Sequence, residues 1–191
     1  MKLDSFVSIL YDKGLITTNK FSLCFAKNGG YFTIGEINAT YHNQNDNIKY
    51  IPYENKRNLY AIKLNDIQVN KKDNFISNEY FTIIDSGTTV SYIPLELYDK
   101  IKLQIREFCS KDNDNNNKNK CLGDINESEM GICFKLNSNV EYSKFEESMP
   151  NLNFVFENNV TYDWNPGSYL FNNTETYDRI QSYCMGFIKW E

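Results

Sequence analysis

The chain has no apolar run that approaches the roughly 18 residues needed to cross a bilayer as a helix. Its opening, MKLDSFVSILYDKG, places charge where the core of a signal peptide must be uncharged. The stretch given therefore reads as soluble and untargeted. It also lacks a positive excess: 20 Lys and Arg stand against 25 Asp and Glu, for a net charge of -5. Without a basic face to neutralise a row of phosphates, nucleic acid is not an expected partner, and peptides or small ligands are. There is one histidine and no C-x-x-C pair, so nothing has the spacing of a zinc ligand set, and neither a metal nor a cofactor is expected. His42 stands in a polar loop with no acid or nucleophile beside it, as a solvated residue would. No internal repeat and no second core set off by a linker interrupts the pattern.

What is present suits one domain. The 191 residues are 41% apolar and 15% aromatic, enough for a well-buried core. Five cysteines lie at 24, 109, 121, 133 and 184. Cys109 and Cys121 flank SKDNDNNNKNK, a run too polar to bury itself, which reads as an exposed loop inserted at 110–120 and tied at its base by a bridge. Two bridges would imply an oxidising compartment and leave one thiol whose partner lies outside this chain. The 27 asparagines include four N-x-S/T sequons, at Asn38, Asn126, Asn159 and Asn172. Roughly three are expected from composition alone, so their number says little about secretion.

DSFVSILYDKG predicts a short helix, with Asp4 as N-cap, Phe6, Val7 and Leu10 on one face and Gly14 closing it. FSLCFA and GGYFTIGEI follow as a hairpin about Gly29 and Gly30. IKYIPYE and LYAIKLNDIQVN continue as strands, the second broken by a turn at Asn65 and Asp66. PLELYDKIKLQIREFC predicts the one long helix, with Pro94 at its first position and Leu97, Ile101, Ile105 and Phe108 stepping by three or four residues. Beyond it, GICFKL, LNFVFENNVTYDW, GSYLF and YCMGFIKW read as short strands, and Trp164 and Tyr169 as packing residues.

Between these halves lies FTIIDSGTTVSYIP, residues 81–94. Asp-Ser-Gly alone is ordinary turn chemistry, because Asp bonds its own backbone two residues on. Here two apolar residues, Ile83 and Ile84, precede it, and two hydroxyl residues, Thr88 and Thr89, follow. That order sets Asp85 at the rim of a buried strand, with hydroxyls in reach and a glycine that admits close approach.

IIDSGTT resembles the hydrophobic-hydrophobic-Asp-Ser/Thr-Gly-Ser/Thr signature of the pepsin-like aspartic proteases. GLITTNKFSLCFAKNGGYFTIGEIN, IKYIPYENKRNLYAIKLNDIQVN and MPNLNFVFENNVTYDWNPGSYLF with YCMGF resemble the family's C-terminal lobe in order and spacing. FSLCF and ICFKL look closest to the branch of plasmepsin V, nepenthesin and memapsin. The resemblance implies a mainly β fold, a C-terminal lobe of the bilobal acid protease fold spanning 1–191 and incomplete at its C-terminus, with a long helix after the catalytic loop. It implies that Asp85 is catalytic, that Ser86, Gly87 and Thr88 support the loop, Ser86 by bonding the outer oxygen of Asp85 and Thr88 by locking the loop to its counterpart, and that Thr89 contacts substrate. It further implies a lobe disulfide between Cys133 and Cys184, leaving Cys24 free.

Only one D-S/T-G-T is present, no flap tyrosine precedes it, and the family's hydrophobic-hydrophobic-Gly marker is absent up to Glu191. The expectation is most of a C-terminal lobe: part of an endopeptidase acting on polypeptides, inactive without its N-terminal lobe and marginally folded alone. It would belong to the secretory pathway, with room for a membrane anchor in the full protein. Two alternatives stay open. One is a catalytically inactive pepsin-fold binding or inhibitor protein, which would have no need to keep the aspartate. The other is a single-lobe protease that pairs two copies of Asp85.

Overall fold

A computed structural model of the chain describes residues 5–26, 28–36, 48–56, 59–71, 80–110, 120–128, 131–173 and 181–190. His42, Asp4, Asn38 and most of the Asn-rich loop lie outside them. The chain forms two compact units, Met1–Lys49 and Tyr50–Glu191.

In the first unit, helix α1 (Phe6–Asp12) starts at Ser5, whose hydroxyl accepts the Ser8 amide at 3.1 Å. Ser5 thus fills the N-cap position expected of Asp4, one residue later. Gly14, at φ +67°, closes the helix as predicted, with its amide bonded to the Tyr11 carbonyl at 2.9 Å. Val7 is the buried residue of the helix. Strands β1 (Phe21–Ala26) and β2 (Gly29–Ile34) pair antiparallel through Ala26 and Gly29. The glycine pair therefore opens β2 and is not the turn. At Gly30 any side chain would run into the Cys24 carbonyl, so close strand approach explains that glycine.

The second unit begins with β3 (Tyr53–Lys56) and β4 (Leu59–Val69). The expected break at Asn65 and Asp66 is a bulge inside one eleven-residue strand. Polar residues are tolerated there because each finds partners: the Asn65 amide donates to the Phe156 carbonyl at 3.2 Å, and the buried Asp66 carboxylate accepts the Ile67 amide and the Gln68 side chain. Next come β5 (Tyr80–Ile83), β6 (Ser91–Pro94) and α2 (Leu95–Cys109). Pro94 takes the cap position of α2, one residue before the place expected of it.

Strands β7 (Asp124–Ser128) and β8 (Gly131–Leu136) lead to α3 (Tyr142–Ser148), a helix the sequence reading omitted. Strand β9 (Leu152–Phe156), a 3-10 turn at Glu157–Asn159 and β10 (Thr161–Trp164) form a hairpin. GSYLF, expected as a strand, divides: Pro166–Tyr169 is helix α4 and Leu170–Asn172 is β11. Asn165 accepts the Ser168 amide at 3.1 Å with proline next in line, so the cap overrides the strand propensity. Strands β12 (Gln181–Met185) and β13 (Phe187–Trp190) follow.

One sheet runs β10-β9-β4-β3, with β5 on the free edge of β4, and another runs β11-β12-β8-β7. Strand β13 pairs parallel with β6. The fold is thus mainly β, and the second unit packs its strands on one long helix. α2 buries Leu97, Tyr98, Ile101, Ile105 and Cys109, in one core with Ile67 of β4, Phe134 of β8 and Leu152 of β9. Phe108, expected in that stripe, is half-buried and carries the Lys120 ammonium 4.1 Å from its ring centre. Trp164 and Tyr169 pack edge to face, and the Tyr169 hydroxyl donates to the Pro150 carbonyl at 2.6 Å. Bridges join Cys109 to Cys121 and Cys133 to Cys184, the second between directly opposed residues of β8 and β12. Cys24 is free and exposed. No helix among the described residues is long and apolar enough to cross a membrane.

Candidate active site

Strand β5 hydrogen-bonds to β4 up to Ile84, whose amide donates to the Tyr60 carbonyl at 2.9 Å. Asp85 is the next residue, so the ladder ends and the carboxylate leaves the sheet in one step. The chain is fastened again at Ser91, whose amide donates to the Gly186 carbonyl at 2.8 Å, and then by the pairing of β6 with β13. Six residues are held at both ends by strands far away in sequence.

Within the loop, each oxygen of Asp85 accepts one hydrogen bond. The Gly87 amide donates to Oδ1 at 2.9 Å, and the Thr88 hydroxyl donates to Oδ2 at 2.6 Å. Both bonds favour the ionised form, the Thr88 bond more strongly, and together they hold the carboxyl below the usual aspartate value of 3.8. A side chain on Gly87 would begin 3.2 Å from Oδ1, so glycine leaves the carboxylate room to sit over its own turn. Thr88, where Ser86 was expected, makes the side-chain hydrogen bond to the carboxylate. The Ser86 side chain has no hydrogen-bond partner among the described residues, because the hydroxyl three positions after the aspartate closes the turn first. Thr88 is accordingly bound inside its own loop. Thr89 is exposed and touches neither oxygen.

The strand before the site differs from its expectation. Ile83 is 51% and Ile84 54% exposed. Among the described residues β5 has only β4 beside it, and its Phe81 and Ile83 share the sheet face that carries Leu59. The aspartate therefore rises from an open apolar edge.

Asp85 and Thr88 form the polar wall of a cleft of about 370 Å³. Phe81, Ile83, Val90, Tyr92, Leu97 and Trp190 are among its apolar lining. Tyr92 and Trp190 were not singled out from sequence. Tyr92 was legible as part of the motif stretch, whereas Trp190 reaches the cleft only through the β6 and β13 pairing. Among the described residues no three His, Cys, Asp or Glu side chains converge to hold a metal ion. Chemically, the arrangement presents one ionised, solvent-facing carboxylate beside an apolar groove. It can accept a proton from water or, once protonated, donate one, but it cannot do both at once.

The chain is similar to Plasmepsin V of Plasmodium falciparum, at 26% identity over 155 residues, covering 70% of this chain and 25% of that protein. It is similar to Aspartic proteinase 39 of Arabidopsis thaliana, at 27% identity over 183 residues, covering 87% of this chain and 31% of that protein. The chain thus spans about a quarter to a third of the curated relatives it matches. The sequence profile described as Eukaryotic aspartyl protease matches residues 2–191, and the chain belongs to that family.

Proposed function

We propose that this chain is the C-terminal lobe of an aspartic endopeptidase and that Asp85 is one of its two catalytic carboxylates. The observation that carries the reading is the fixed, exposed carboxylate, with Gly87 on one oxygen and Thr88 on the other. Two further facts support it: the sequence holds a single Asp-Ser/Thr-Gly-Thr, and the chain spans a fraction of its relatives. The second aspartate then comes from a lobe outside this chain, and the substrate is a polypeptide.

Two carboxylates in contact cannot both ionise, so the pair shares one proton. The ionised partner takes a proton from a water held between them. The protonated partner donates its proton toward the scissile carbonyl oxygen as the hydroxide adds to carbon. Collapse of the resulting diol expels the amine with a proton returned from the pair, and no covalent intermediate forms. In this scheme the Gly87 and Thr88 donors fix the plane of Asp85, Ser86 supports the loop and Thr89 is the contact to substrate. The apolar cleft beside Asp85 would favour an apolar side chain near the cleaved bond. The bridges fit an oxidising compartment, and we place the protein in the secretory pathway.

The test is hydrolysis of a denatured protein substrate by the full-length protein at pH 4 to 6. Asp85→Asn should abolish cleavage while leaving both disulfides formed and unfolding cooperative. Retained cleavage in that variant would remove Asp85 from the chemistry. Peptide binding without cleavage by the unaltered protein would instead favour the inactive binding-protein reading.

A further inference from the structure

The four sequons are separated by the fold. Asn38, and Thr174 of the Asn172 sequon, lie outside the described residues, and Asn126 sits within β7 opposite Cys133. Asn159 is placed differently. It ends the 3-10 turn between β9 and β10, at φ +56°, directly after Asn158 at φ +60°. Asn159 and Thr161, the first and third residues of its sequon, are both exposed, and neither side chain has a hydrogen-bond partner among the described residues.

We propose that Asn159 carries an N-linked glycan that shields the open edge of β10. An oligosaccharide is bulky and strongly hydrated, so a folded domain accommodates it only on a side chain free in solvent, and a hairpin tip is such a place. The two disulfides fit the oxidising compartment in which secreted chains meet a lipid-linked oligosaccharide diphosphate donor. In the transfer, Asn159 Nδ2 attacks the anomeric carbon of that donor. The carbon-oxygen bond to the diphosphate breaks, a carbon-nitrogen bond forms, the amide loses one proton, and the lipid diphosphate leaves with the bonding electrons.

The position gives the sugar a purpose. β10 is the outer strand of its sheet, with β9 on one side and no strand on the other among the described residues. Thr161, Tyr162 and Asp163 are all exposed, and Tyr162 presents a large aromatic ring to solvent on that strand. Such an edge invites pairing with a second chain. A glycan two residues before the strand begins would stand in the way.

The experiment is peptide mapping of the full-length protein from its native cells, after glycan release by peptide-N-glycosidase in ¹⁸O water. The Asn159 peptide should return as ¹⁸O-labelled aspartate. An unlabelled Asn159 peptide, or label at Asn126 or Asn172 alone, overturns the proposal. Expressed in the same cells, Thr161→Ser should keep the glycan and Thr161→Ala should lose it. The Thr161→Ala protein should also sediment as larger species at concentrations where the Thr161→Ser protein is monomeric. Equal sedimentation would overturn the shielding role. None of these readouts depends on peptidase activity.

Discussion

The Thr88 hydroxyl and the Asp85 carboxylate, three residues apart, are joined by a 2.6 Å hydrogen bond. The bond is stronger to the ionised carboxylate than to the protonated acid, so it depresses the folded-state pKa below 3.8, with the Gly87 amide adding to the effect. A depressed carboxylate stabilises the fold above its unfolded pKa, and that contribution disappears as pH falls through the lower, folded value. The window is therefore below about pH 4. In a carbon-13 titration of this chain, the Asp85 carboxyl midpoint should lie below that of a solvated aspartate, and Thr88→Val should move it back up. An unchanged midpoint in Thr88→Val would show that the hydroxyl does not hold the charge.

The 191-residue chain alone should show no peptidase activity, because one carboxylate cannot act as base and acid in the same arrangement. The measurement is cleavage of an unfolded protein between pH 4 and 6. Activity that rises with the square of chain concentration and vanishes in Asp85→Asn would instead support two chains pairing their aspartates.

The bridges should differ in what they contribute. Cys133 and Cys184 are 51 residues apart in sequence and Cys109 and Cys121 are 12 apart. Loop-closure entropy assigns them roughly 4 and 3 kcal/mol. Chemical denaturation of Cys133→Ser/Cys184→Ser should show the larger loss, and Cys109→Ser/Cys121→Ser the smaller. The reverse order would mean that local strain, not chain entropy, sets their worth.

On α2, Ile101 is fully buried and Leu103 is 55% exposed. Ile101→Ala should lower unfolding free energy by about 2 to 5 kcal/mol, while Leu103→Ala should change it by about 0.5 kcal/mol or less. Urea melts of the two variants decide it, and similar losses would place the helix in a different rotation about its axis.

The features legible in the sequence are those whose cause is local. α2 repeats its apolar residues over fifteen positions, long enough for a 3.6-residue period to show, whereas α3 has seven and no capping side chain to mark its start. Asn65 and Asp66 look like a turn because the signal for a turn and for a bulge is the same pair of polar residues. Only the Phe156 carbonyl, 91 positions away, distinguishes them. The motif around Asp85 located the carboxylate and the glycine, since both are bound within the loop. Which hydroxyl reaches the carboxylate depends on how the loop is tethered, and the sequence reading assigned that bond to Ser86 where Thr88 makes it. Exposure of Ile83 and Ile84 follows from β5 standing at a sheet edge, which no run of apolar residues can announce.

The pairing of Ser91 in β6 with Phe187 in β13 has a consequence in time. These residues are 96 positions apart, so a ribosome working at roughly 5 to 20 residues per second has the Asp85 loop outside for about 5 to 20 seconds before its second anchor exists. During that interval the loop has β4 on its entry side and no strand partner on its exit side. The aspartate is thus delivered early but aimed late, and a nascent chain of this sequence carries an unassembled site until the far strand arrives.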